Sequence, residues 1–124
     1  MFSDSLAVAC GAVCGALARH NIALIATQHA LAPWHIAGIN TGGSALLGAV
    51  AAAPLPPAMK LCVGVGACGA FTTFSTFSMD VVMMIEAEQF AKAASYMAVN
   101  NVGSVGAALG SYKLAKGIFP KIKP

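Results

Sequence analysis

Between Ala58 and Ile85 the chain is strongly apolar, carrying Lys60 and Asp80 as its charges, yet its middle suits no continuous helix. Gly64, Gly66 and Gly69 come first, and glycine costs about 1 kcal/mol against alanine in a helix interior. Thr72, Thr73, Ser75 and Thr76 follow, hydroxyl residues that compete for backbone hydrogen bonds and favour caps and turns. Phenylalanines at 71, 74 and 77 keep the stretch apolar. This pattern predicts a helix that breaks near Gly69–Thr73 and restarts, with Thr72 or Thr73 capping the second half. In an apolar solvent such a break survives where protein or a watery cavity covers the freed backbone groups. The stretch is therefore the first candidate for function.

The solvent in question is a bilayer. Charged residues make up 9% of the chain, hydrophobic ones 58%, and the mean hydropathy is +0.77, against roughly 25% charged in soluble domains. At about 20 residues per crossing, the expectation is a single all-α integral membrane domain over residues 1–124 with four spans near 6–26, 36–53, 58–85 and 93–115, the third broken. The first five residues lack a basic region, so a removable leader is not expected. The net charge of +3 forms no basic stripe on a soluble face and does not suggest nucleic acid. Cys10, Cys14, Cys62 and Cys68 lie within apolar runs without a histidine or acid at ligand spacing, and are read as packing residues.

Small residues recur where helices would pack. Gly11 and Gly15 in the first span, and Gly38 and Gly42 in the second, have the small-xxx-small spacing of close helix contacts. Arg19 lies inside the first span and is read as a structural or vestibule charge. Trp34 and His35 mark the next interface. Asn40 and Ser44 share one face of the second span. In the fourth, Tyr96, Asn100 and Ser104 form a stripe at i, i+4, i+8. Asp80 falls in the second half of the third span, whereas Glu86, Glu88 and Lys92 belong to the following loop.

These polar groups have a common character. Asn40, Ser44, Thr73, Ser75, Thr76, Tyr96, Asn100 and Ser104 are uncharged and can donate a hydrogen bond. A small anion leaving water needs replacement donors at several depths, without a cation that traps it. Phe74 and Phe77, at i, i+3, project to a similar side, and their ring edges carry partial positive charge. The carbonyls of Gly69 and Thr72, at the expected break, are candidates to hold an alkali cation.

At these residues the chain resembles a known family. The run Gly66-Ala67-Cys68-Gly69-Ala70-Phe71-Thr72-Thr73-Phe74-Ser75-Thr76-Phe77 is similar to the signature of the small bacterial fluoride channels, the Fluc or CrcB family. Support comes from Gly11-x-x-x-Gly15-x-x-x-Arg19, from Asn40 and from Asn100-Asn101-Val102-Gly103-Ser104. It departs from the family pattern at Cys10, His20, Ala70 and His35-Ile36. The resemblance implies an antiparallel, dual-topology homodimer in the bacterial cytoplasmic membrane, with fluoride pores lined by Phe74, Phe77 and Asn40. It also implies a structural Na+ on the Gly69 and Thr72 carbonyls, and passive fluoride export rather than enzymatic chemistry.

Two tensions are visible in the residues. Lys60, Lys113, Lys116, Lys121 and Lys123 fall on one side of the expected spans and Lys92 on the other, a bias toward one orientation. A paralogous subunit of opposite bias is the alternative partner. The rival function is a small four-helix proton-coupled multidrug exporter, which needs a carboxylate deep in the membrane, and Asp80 is the nearest to one.

Overall fold

The computed structural model describes residues 2–119; Lys121 and Lys123 lie outside them. The described chain is helical. Helix α1 spans Phe2–Gln28 and α2 spans Trp34–Ala52. The third segment has a first half over residues 57–71, here α3, and a second half, α4, over Phe74–Glu86. Helix α5, Phe90–Ile118, completes it. At about 1.5 Å per residue, the 27 residues of α1 exceed the roughly 30 Å of a hydrocarbon core. The segment Pro57–Glu86 is likewise long and apolar enough to cross a membrane.

The break falls within the expected Gly69–Thr73 stretch, at its far end. Gly64, Gly66 and Gly69 all lie in helical backbone, the first two within a widened π-helical stretch, Leu61–Cys68. The chain departs from helix at Thr72 (φ −72°, ψ 153°) and Thr73 (φ −146°, ψ 104°). Thr73 then caps α4, its hydroxyl accepting the Thr76 N–H at 3.3 Å. Two adjacent β-branched residues with hydroxyls favour extended backbone and capping, and that local preference sets the interruption.

Gly66 instead allows close approach, together with Gly11 and Gly15 of α1. A Cβ on Gly11 would fall on the Cys62 carbonyl, one on Gly15 on the Ala67 carbonyl, and one on Gly66 on the Val8 carbonyl. Helices α1 and α3 thus meet backbone to backbone along Gly11, Gly15 and Gly66. Helices α2 and α5 form a second pair, in which Gly48 abuts the Ala108 carbonyl and Gly103 approaches Thr41 Oγ1. Both pairs run parallel, since Thr41 lies at Gly103 and Gly48 at Ala108, while Gly11 lies at Cys62 and Gly15 at Ala67.

One packing expectation is corrected. Gly38 and Gly42 do not support a helix contact, because a Cβ at either would meet nothing within 4 Å. Helix α2 faces its neighbours through Gly43 and Gly48, leaving the Gly38–Gly42 face open.

The buried core gathers Ile36, Ala37, Ile39, Phe77, Met84, Ala93 and Tyr96 where α2, α4 and α5 converge. Outside it, Val13, Leu17, Leu24, Val102, Val105 and Leu114 stand exposed. In water this apolar exterior would be a liability. Against lipid it is solvated.

Candidate functional site

Asn40 occupies the gap that the break opens. Its side chain, 7% exposed, addresses the backbone of one residue twice. Asn40 Oδ1 accepts the Thr73 N–H at 2.7 Å, and Asn40 Nδ2 donates to the Thr73 carbonyl at 3.3 Å. The carboxamide thus replaces the partners that Thr73 forgoes on leaving the helix. Nδ2 also donates to Asn100 Oδ1 at 2.8 Å. A buried polar network that satisfies itself is rigid, so this clamp fixes α2, the break and α5 relative to one another.

What the clamp leaves unpaired is as informative. Asn100 is 4% exposed, and its Nδ2 has no partner among the described residues. One turn on, Ser104 Oγ is buried and also without a partner. An unmade buried hydrogen bond costs about 1–3 kcal/mol, so the orphan Ser104 hydroxyl marks a place shaped for an acceptor. Asn100 and Ser104 line a groove of about 530 Å³ between α2, α3 and α5. Asn40, Ser44, Thr72, Asn101 and Phe74 also line it, and Lys60 lies on its wall toward the start of α3.

The aromatic residues form a series rather than a pair. Phe74 and Phe77 have ring centroids 5.5 Å apart at 49°. Phe77 meets Tyr96 at 5.2 Å, and Tyr96 meets Trp34 edge-on at 5.6 Å. Phe77 is buried at 4% exposure and Tyr96 at 0%, whereas Phe74 is 72% exposed and projects from the single chain. The Tyr96 hydroxyl donates to Asp80 Oδ2 at 2.8 Å. A carboxylate beside the third ring of the series is thereby held in place by a neutral donor.

The remaining candidates divide. Ser75 and Thr76 are exposed on the chain, and their hydroxyls bond Thr73 Oγ1 at 3.4 and 3.0 Å, so they brace the cap. Thr72 Oγ1 donates back to the Cys68 carbonyl at 3.0 Å. Arg19 is partly buried on α1, away from the residues lining the groove. Cys10 and Cys14 are exposed, Cys68 is buried, and all four cysteines are free. Among the described residues no cluster of three or more His, Cys, Asp or Glu side chains is placed to hold a metal.

Two backbone carbonyls are released at the break. The amide that would bond the Gly69 carbonyl in a helix, Thr73 N–H, goes to Asn40 instead. The amide due to the Thr72 carbonyl, Thr76 N–H, goes to Thr73 Oγ1. Freed carbonyls at a half-helix end suit a hard monovalent cation, so these two residues fit a Na+ site.

Sequence reasoning missed two contributors, Trp34 and Lys60, and part of the role of Thr73. Trp34 extends the aromatic series, though its position suggested an interfacial anchor. Thr73 is the hub of the clamp as well as a cap. Lys60 lines the groove, a placement with no local signature.

A broken-helix membrane protein with neutral donors along a narrow groove is the class that this fold and site define. The family model described as "CrcB-like protein, Camphor Resistance (CrcB)" matches residues 6–112, and the chain belongs to that family. It is 38% identical to the fluoride-specific ion channel FluC of Nitrobacter winogradskyi, over 91% of this chain and 95% of that protein. It is 42% identical to fluoride-specific ion channel FluC 2 of Synechococcus sp. (strain CC9902), over 94% and 86%. The fluoride-specific ion channel FluC of Gloeobacter violaceus is 32% identical, over 95% of this chain and the whole of that protein.

Proposed function

We propose that this protein is a fluoride-selective channel that lets the ion leave the cytoplasm passively, performing no enzymatic chemistry. The observation that carries the reading is the Asn40 clamp, which holds the break open beside a groove lined by Asn100 and by the buried, unpartnered Ser104 hydroxyl. Relatives named as fluoride-specific channels over nearly the whole chain support the choice of ion.

The anion enters the groove and exchanges hydration water for Ser104, Asn100 and Ser44. It then passes to the edges of Phe74 and Phe77, where positive ring edges take over from hydroxyl and amide donors. Tyr96 backs the rings from the core, its hydroxyl proton engaged by Asp80. Each donor is neutral, so no step binds the ion too tightly to release. Asn40 holds the geometry from beneath, and its carboxamide lies within reach of an ion at Asn100. The exporter alternative asks for a proton-exchanging carboxylate, whereas Asp80 is engaged by Tyr96, the third ring of the series.

The working unit is an antiparallel homodimer in the bacterial cytoplasmic membrane. Phe74, exposed in a single chain, gains its enclosure from the second copy. Helices α1 and α3 running parallel, with α2 and α5 parallel as a second pair, suit a chain that crosses the bilayer four times with alternating direction. The Gly69 and Thr72 carbonyls would hold a Na+, whose charge would offset the partial negative charge of the freed oxygens. Bilayer recordings of purified protein under a fluoride gradient against chloride test the assignment. The reversal potential is expected to follow fluoride; a potential that follows chloride, or no current, contradicts it.

A further inference from the structure

We propose that Lys60 is the anion-collecting residue of this channel, at the groove's entrance. Among the groove's lining residues Lys60 alone is charged. It belongs to the first turn of α3, and its Nζ donates to the Ala51 carbonyl at 3.3 Å. Ala51 lies in the last turn of α2, where unpaired carbonyls give the helix end a negative partial charge. That contact holds the ammonium at the rim, so it does not swing inward to form an ion pair with the permeating anion.

Distance sets its role. Asn40 and Ala51 are eleven residues apart on α2, about 16 Å of helix. A charge that far from the clamp makes no contact with an ion at Asn100 or Ser104. It does raise the local anion concentration in a cleft with low-dielectric walls, which focuses its field. Lys116, near the C-terminal end of α5, sits over the Tyr112 ring at 5.9 Å and does not line the groove. A residue that merely snorkelled or capped α2 would not tune flux with ionic strength. A collecting charge would.

The inference rests on the channel reading, and one assay separates the two. Full-length protein is reconstituted in neutral-lipid vesicles, and fluoride efflux is read at low and at high concentration of an impermeant salt. The Debye length falls from about 30 Å at 0.01 M to about 8 Å at 0.15 M. Lys60→Gln is expected to lower efflux about threefold or more at low ionic strength and to converge on the wild type at high ionic strength. Lys60→Arg is expected to match the wild type at both. Lys60→Met, which keeps an aliphatic stem, is the second neutral variant should the glutamine variant fail to insert. Efflux of the neutral variant equal to the wild type in low salt, or reduced by the same factor in both, overturns the proposal. A wild type that passes no fluoride defeats the channel reading instead.

Discussion

Phe77 and Phe74 make different contributions although three residues separate them. Phe77 packs against Tyr96 in the core, and Phe74 stands 72% exposed. Replacing either with isoleucine roughly keeps apolar volume and removes the ring edge, so both variants should insert. Fluoride efflux is expected to fall at least tenfold in each, about 1.4 kcal/mol of barrier, while Phe77→Ile also loses some thermal stability. Unchanged efflux in both would reduce the rings to packing. Asn40→Asp keeps an acceptor for the Thr73 N–H but puts a negative charge beside the Thr73 carbonyl and Asn100 Oδ1. Efflux should collapse, because like charge repels the anion. Sequence made the polar inventory legible, since neutral donors within apolar runs are conspicuous. It did not reveal that Asn40 serves the backbone of Thr73, thirty-three residues away, because a tertiary hydrogen bond leaves no local periodicity.

At the level of elements, the interrupted third segment illustrates how local and tertiary signals divide. Hydroxyls at 72 and 73 encode the break directly, and the Thr73 cap follows from capping chemistry. Gly66 points the wrong way when taken locally, because its low helix propensity suggests a break where it is in fact a contact residue. The role of Gly66 depends on α1, whose Val8 carbonyl and Gly11 face it. Gly66→Val should therefore destabilise the fold by about 1–3 kcal/mol or more, as overpacking does, with the backbone of α1 unable to yield. Thermal unfolding in detergent reads this, and a wild-type midpoint would contradict it. Gly42→Ala is the matched control, with open space around it, and its midpoint is expected to stay near that of the wild type. Thr73→Ala removes a cap worth about 1 kcal/mol together with the anchor for Ser75 and Thr76. Its efflux is expected to fall more than its stability.

The whole molecule is two parallel helix pairs joined through a clamp at the break. Their apolar exterior belongs in lipid, and Phe74 stands exposed on it. Length and composition pointed to this scale most plainly, through apolar runs long enough to cross a bilayer. The gap between α1 and α2, where Gly38 and Gly42 face open space, was not legible, because spacing marks a face without saying what covers it. The proposed sodium site belongs to this scale too. Replacing Na+ with a large organic cation is expected to weaken dimer association and slow efflux together, and full association and flux without Na+ would contradict the carbonyl site. The central claim is that fixed neutral donors and ring edges take the place of fluoride's hydration, without proton exchange. It is tested most directly by fluoride and chloride efflux from vesicles holding this chain alone, at equal pH on both sides. Fluoride is expected to empty rapidly while chloride is retained; equal loss of both ions, or fluoride loss that requires a pH gradient, would contradict it.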